Sequence, residues 1–422
     1  MSRVSIAKMR EAISRQEDMD GKKYSLLGIG PMSRPVIEAA FMTAKEKDFP
    51  LMFIASRNQI DSEKFGGGYV CGWNQRDFVS EIQIIADKVG FKGIYHICRD
   101  HGGPWQRDKE RNDKLPEAEA MEIGIQSFLE DLEAGFDLLH VDPTKDPHYD
   151  KIVPLDLVIK RTVTIIEAVE KERLGKGLPE VSYEVGTEET SGGLTEADAF
   201  GDFIRTLTEK LKAKGLPMPV FIVGQTGTLT RLTENVGHFD PSTARMLSET
   251  AAEFGIGLKE HNGDYLSDFV LYTHPILGIT GINVAPEFGV VETEAYLMLE
   301  TLENFVYENG YPIMRSGFYK AISTEAVNCE RWRKWMVGDT RSMPLEAVFE
   351  DEKLVELITQ TGGHYTFESQ AVKESLAVMI SNLERAGLRP YEIVIDRIKR
   401  SIARYVECLN LEGLTTKILA NL

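Results

Sequence analysis

Eight short apolar runs, separated by stretches with helical spacing, constrain this chain more than any other feature. They are "SLLGIG" (25–30), "LMFIAS" (51–56), "IYHICRDH" (94–101), "LLHVD" (138–142), "VSYEVG" (181–186), "VFIVGQT" (220–226), "IGLKEHN" (256–262) and "ITGINVAP" (279–286). Runs of this length bounded by turn residues are strand-like. Between them lie segments such as "DFVSEIQIIADKVGF" (77–91) and "EIGIQSFLEDLEAGF" (122–136), with glycines where a helix should stop. Strands alternating with helices give either a closed (β/α)8 barrel or a doubly wound open sheet. Eight repeats between residues 25 and 286 favour the α/β barrel.

In a barrel the C-terminal strand ends converge on one mouth, where active sites are built. The strand ends carry Asp100 and His101, His140 and Asp142, Glu184, Gln225, Glu260, His261 and Asn262, and Asn283. Charged groups buried there are costly unless paired or bound to metal. Strand alternation predicts that only one of Asp100 and His101 faces the interior, the other leaning toward a loop. Glu184 is either a metal ligand, a general base, or half of a buried ion pair with an arginine such as Arg99. Asp142 reads as a cap or as an acid/base facing substrate, with His140 on the same face. The long loop "SRNQIDSEKFGGGYVCGW" (56–73) suits a lid or a close backbone approach to a ligand. "SGG" (191–193) and "GQTGT" (224–228) are weak phosphate-cradle signals, and Glu188 and Glu189 read as solvated loop residues. His148, His238, His274 and His364 show no partners in sequence.

From about residue 291 the pattern becomes amphipathic helix: "VETEAYLMLETLENFVYENG" (291–310), "PLEAVFEDEKLVELITQTG" (344–362), "FESQAVKESLAVMISNLERAG" (367–387) and "PYEIVIDRIKRSIARYVECLNLEG" (390–413). The expected organisation is a barrel over 1–290 and a helical extension over 291–422. A formal charge of −18 argues against nucleic acid as a partner but leaves anionic small molecules open. The four scattered cysteines read as free thiols in a cytoplasmic protein, and neither a secretory leader nor a membrane span is visible.

"PVIEAA" (35–40), "SRNQID…FGGGYVCGW", "IADKVGF" (85–91), "RDHGGP" (99–104), "LLHVDPT", "GTE" (186–188), "EHNGDY" (260–265) and "INVAPEFG" (282–289) resemble the class II tagatose-bisphosphate aldolase accessory-subunit family. The resemblance implies a barrel related to zinc-dependent class II aldolases. Some members are described as non-catalytic partners of an aldolase subunit, others as carbon-4 epimerases of tagatose, fructose or their 6-phosphates. In the aldolases an Asp-His pair ends strand three, and two more histidine ligands come from strands six and seven. His101 and His261 match the first and third ligands, whereas strand six ends here in Gln225. Members described as accessory subunits carry an apolar residue where this chain has Glu184.

The resemblance therefore implies a divalent metal, zinc first with Mn, Co or Ni as alternatives, on His101, His261 and Glu184. Asp100, Asp142 and Glu184 are the catalytic candidates. Gln59, Gln225, Asn262, Asp264 and Asn283 are candidates for contacting a ketohexose or ketohexose phosphate. Arg34, Arg57, Lys145 and Arg107 are possible phosphate partners. The expected assembly is a homo-oligomer; in the alternative reading the partner is a class II aldolase subunit.

Overall fold

The computed structural model describes residues 4–150, 152–187, 194–336 and 338–422. Eight parallel strands close a barrel: β1 (Leu26–Ile29), β2 (Leu51–Ser56), β3 (Tyr95–Gly102), β4 (Leu138–Val141), β5 (Ser182–Gly186), β6 (Phe221–Val223), β7 (Gly257–Glu260) and β8 (Ile279–Val284). Each pairs with its sequence neighbours, and β8 returns to β1 through Leu27↔Ile282 and Gly28↔Asn283. All eight apolar runs are therefore strands of one closed sheet, and the open-sheet alternative is excluded. The short β6 and β7 stop before the polar residues that follow them, which places Gln225 and His261 just beyond the strand ends.

Helix boundaries follow local chemistry. Asn74 and Asp77 form a reciprocal capping box that starts helix Gln75–Val89, and Gly90 ends it in the left-handed conformation. Helix Ile6–Asp20 lies across the starts of the strands. The carbonyl of Val4, just before it, is 2.7 Å from His96 Nε2 in β3, and Arg10 donates to the Val220 carbonyl ahead of β6. These contacts tie the helix to the floor of the barrel at β3 and β6.

Beyond β8 the chain is helical. Helix Pro286–Glu308 spans residue 290, the expected boundary. Helix Pro390–Cys408 packs on both Pro286–Glu308 and Arg34–Lys47, and its Ile398 and Ile402 belong to the same buried core as Leu27 and Phe53 of the strands. A smaller core around Trp332, Val348 and Ile358 supports the segment after residue 318. The single helix expected over 344–362 is two, Leu345–Glu350 and Glu352–Gly362. Asp351 separates them because its side chain accepts the Leu354 N–H at 3.0 Å, capping the second helix instead of continuing the first. Among the described residues no helix is long and apolar enough to cross a membrane, and all four cysteines are free.

Candidate metal centre

The C-terminal strand ends bring three imidazoles together. His101, His140 and His261 each offer a nitrogen within 4.8 Å of the others. Asp100 Oδ1 lies among them, 3.9 Å from His101 Nε2, 3.9 Å from His140 Nδ1 and 3.6 Å from His261 Nδ1. Both members of the Asp100–His101 pair reach the site, contrary to simple alternation. The reason is local: His101 has φ of +43°, and the β3–β4 register shifts between Arg99 and Gly102. That irregularity turns a second consecutive side chain inward.

Carboxylates stand behind two of the rings. Asp142 Oδ2 is 2.7 Å from His101 Nδ1, and Glu184 Oε1 is 2.7 Å from His261 Nε2. A carboxylate in that position takes the ring N–H, so each neutral ring turns an unprotonated nitrogen to the other side. Those two nitrogens, His101 Nε2 and His261 Nδ1, face each other at 2.9 Å. Two lone pairs at that separation repel unless a proton or a metal ion lies with them. Burial pushes the His261 imidazole down to about 4, against the pull of Asp100 and Glu184, which disfavours the proton. His140 receives the backbone N–H of His101 at its Nδ1, 3.1 Å away, and its buried Nε2 has no hydrogen-bond partner. An orphaned imidazole nitrogen among carboxylate-backed rings fits a divalent cation.

Glu184 does not pair with Arg99. Arg99 points out of the barrel and makes a two-pronged bridge to Asp131, at 2.8 and 2.5 Å. The partner of Glu184 is Lys259 of β7, whose ammonium sits 2.6 Å from Oε2 with both side chains buried. With one oxygen on Lys259 and the other on His261, Glu184 backs a ring instead of standing among the facing nitrogens. Among the described residues, the group whose ligand atoms lie within 4.8 Å of one another is His101, His140 and His261, with His140 where the sequence reading put Glu184. Burial would raise the Glu184 carboxyl, but Lys259, His140 and His261 outweigh it and hold the group ionised. Asp100 is likewise held well below the usual carboxylate range, burial being outweighed by His101, His261 and His140. Burial also opposes ionisation of Asp142, and the hydrogen bond and charge of His101 overcome it.

The remaining candidates divide. Asn283 donates to Asp100 Oδ1 at 3.0 Å and leaves its own buried Oδ1 without a partner. Asn262 follows His261 with φ of +61°, and its buried Nδ2 is also unpartnered. Asp264 is occupied in structure: its Oδ1 accepts the N–H groups of Ala285 and Glu287, capping the helix after β8. Burial and the nearby Glu287 push its carboxyl up to about 8. Gln59 is turned to the Ser56 N–H and to Met32 Sδ, at 2.7 and 3.1 Å. Gln225 is buried beyond β6, its backbone N–H on Thr195 Oγ1. The loop after β2 is stitched down: Tyr69 and Val70 donate to the carbonyls of Asn58 and Gln59. Gly68 approaches the Gln59 carbonyl so closely that a β-carbon would sit 2.0 Å from it. Glu188, Glu189 and the "SGG" run lie outside the described residues.

Sequence reasoning missed Lys259 and the grouping of His140 with the other two rings. The signal for Lys259 was present, since alternation along "GLKEHN" puts it on the face of His261 and opposite Glu260. Glu260 indeed points outward, to His274 Nε2 at 3.2 Å.

The family described as D-tagatose-1,6-bisphosphate aldolase subunit GatZ/KbaZ-like matches residues 9–390. The chain belongs to the GatZ/KbaZ-like family. A relative, the D-tagatose-1,6-bisphosphate aldolase subunit GatZ of Klebsiella oxytoca, is 24% identical over 436 residues, covering 94% of this chain and 99% of that protein. The crystal structure of a probable tagatose 6 phosphate kinase from Sinorhizobium meliloti superposes with a TM-score of 0.74 at 19% identity, over 91% of this chain and all of that one. The glycerol complex of the fructuronate-tagaturonate epimerase UxaE from Cohnella laeviribosi gives 0.52 at 12% identity, covering 92% of this chain and 82% of that one. At these identities the structural likenesses bear on the fold: this GatZ/KbaZ-like chain shares their barrel.

Proposed function

We propose that this protein is a metal-dependent carbon-4 epimerase that interconverts tagatose and fructose or their 6-phosphates. The observation that carries the reading is the pair of imidazole nitrogens facing each other at 2.9 Å, with Asp100 and His140 beside them. His101, His140 and His261 would hold the ion, with Asp100 the nearest carboxylate; zinc suits such a set first, then Mn, Co or Ni. When bound, the ion would supply Lewis-acid polarisation of the sugar carbonyl.

Carbon 4 of a ketohexose is not adjacent to the carbonyl at carbon 2, so its proton has no enolate to leave behind. Cleavage between carbons 3 and 4 avoids that obstacle. The carbon-4 hydroxyl gives up its proton, the bond electrons move toward carbon 2, and an aldehyde and an enediolate result. Rotation of the aldehyde and re-addition through its other face re-forms the bond and returns the proton, with no co-reactant. Asp100, ionised and among the rings, is the residue we assign to that proton. In this reading Asp142 and Glu184 orient the imidazoles, and Asn262 Nδ2 and Asn283 Oδ1, both without a hydrogen-bond partner, would meet sugar hydroxyls.

The test is metal analysis of the purified chain together with an assay on tagatose, fructose and their 6-phosphates, with no partner added. Interconversion is expected to fall on chelation and to return when metal is restored; turnover that survives complete stripping rules the metal out. A second reading has its own support, because the family and the Klebsiella oxytoca relative are named as aldolase subunits. In it the chain is a non-catalytic partner, inert alone and co-purifying with a class II aldolase chain.

A further inference from the structure

We propose that Asn235 and Tyr405 are positioning residues: from outside the closed sheet they fix the segment after β7, residues 261–265, in the shape that leaves the Asn262 amide free for a sugar hydroxyl. This rests on the reading of the histidine cluster as a sugar site, and it makes the hairpin after β6 and the C-terminal helix parts of that site.

The segment is strained. Asn262 and Tyr265 both stand in the left-handed region, at φ of +61° and +60°. Between them Gly263 runs so close to β8 that a β-carbon would sit 2.4 Å from the Ile282 side chain. Residues other than glycine persist in that region only where their surroundings hold them, and such strain gathers at functional sites. Gly263 donates its N–H to the Asn283 carbonyl at 3.0 Å, which ties the segment to β8 on one side. Further grips come from two elements outside the sheet.

The first is the hairpin that pairs Thr230–Arg231 with Glu234–Asn235. The Asn235 amide is fully used. Its Oδ1 accepts the Leu229 N–H at 3.2 Å, and its Nδ2 donates to the carbonyls of Asn262 and Asp264, at 2.9 and 3.2 Å. A carboxylate of the same shape has no donor to offer those two carbonyls. Thr228, just before the hairpin, donates to the His261 carbonyl at 3.2 Å. At the turn, Leu232 packs against the small core around Trp332 in the tail. One end of the hairpin therefore rests on the tail, and the other holds the backbone of His261 and Asn262.

The second is helix Pro390–Cys408. Its Tyr405 hydroxyl donates to Glu287 Oε2 and lies 3.2 Å from the Gly263 carbonyl oxygen. The same Glu287 oxygen accepts the Tyr265 N–H at 2.7 Å, and Arg404 donates to the Leu266 carbonyl. The carbonyls of His261, Asn262 and Asp264 and the N–H groups of Gly263 and Tyr265 are all engaged by these contacts. Against them stands one exception: Asn262 Nδ2, buried and next in the chain to His261, has no partner. A buried donor left unpaired costs free energy that a substrate hydroxyl would recover.

The experiment has two arms, both on the full-length protein. Hydrogen exchange read by mass spectrometry is expected to be about tenfold faster over residues 261–266 in Asn235→Ala and in Tyr405→Phe, while exchange in the barrel strands stays as in the parent. In the kinetic arm, KM for tagatose, fructose or their 6-phosphates is expected to rise about tenfold in each variant, with kcat within about threefold. Asn262→Gly keeps the left-handed backbone but lacks the amide. Adding Asn235→Ala to it should change KM by less than about twofold, because the two residues act as one unit. Exchange over 261–266 that matches the parent overturns the clamp. Faster exchange with the parent's KM, or effects of Asn235→Ala and Asn262→Gly that add in full, overturns the positioning role. Faster exchange in the variants of a parent that turns over none of these sugars would instead keep the clamp and sink the epimerase.

Discussion

Lys259 and Glu184 meet at 2.6 Å with almost no solvent contact, on facing strands inside the barrel. Breaking one side of such a pair leaves a charge buried without its partner, which costs about 3–5 kcal/mol. Lys259→Met is therefore expected to lower unfolding stability by about that amount, read from urea midpoints. Adding Glu184→Gln to it should recover a large part, and a Lys259→Met protein within about 1 kcal/mol of the parent would contradict the pairing. The two residues flanking the centre on β4 and β5 should separate in a different way. His140→Ala removes a proposed ligand, so the purified protein should lose most of its metal even when loading is attempted at saturation. Glu184→Gln disturbs only the support behind His261, and about a 10–100-fold weaker affinity still permits loading. Metal content measured by elemental analysis distinguishes them. Equal retention by both would return the ligand role to the carboxylate.

Among the elements, β1 shapes the centre by what it lacks. A β-carbon on Gly28 would lie 2.3 Å from Asn283 Oδ1, so the glycine makes room for the amide that donates to Asp100. Gly28→Ala should push Asn283 off Asp100 and cut kcat at least tenfold while costing about 1–3 kcal/mol in stability. Activity that survives unchanged would show that Asn283 does not position Asp100. The strands themselves were legible in the sequence because short apolar runs bounded by turn residues recur between helical stretches. What alternation could not show was its own interruption. His101 reaches the centre through a positive φ and a register shift, and neither leaves a trace in a pattern of apolar and polar letters. Partner choice was illegible for a related reason. Glu184 has Arg99 near it in the pattern, but Arg99 faces the helix that carries Asp131, and only the closed ring brings Lys259 of β7 across to β5.

For the molecule as a whole, the docking of the helix after β8 against the start of helix Arg34–Lys47 ties the tail to the barrel through one buried acid. Glu292 accepts from Ser33 Oγ at 2.5 Å and from the Tyr296 hydroxyl at 3.1 Å, with no cation at ion-pair distance among the described residues. Burial outweighs those two hydrogen bonds and pushes its carboxyl up from 4.5 to about 7. The folded chain thus keeps a proton that the unfolded chain releases, and the sign follows. Stability from this group is full below about pH 4.5, declines as pH rises toward 7, and is lost above it, a total of about 3 kcal/mol at roughly 1.4 kcal/mol per unit. Glu292→Gln keeps a neutral group of the same shape at every pH. The unfolding free energy of the variant minus that of the parent should therefore increase by about 3 kcal/mol between pH 4 and pH 8, measured by urea unfolding at a series of pH values. A difference that stays flat across that range would mean that water or a cation reaches Glu292, and that the junction between tail and barrel is not the dry contact its packing describes.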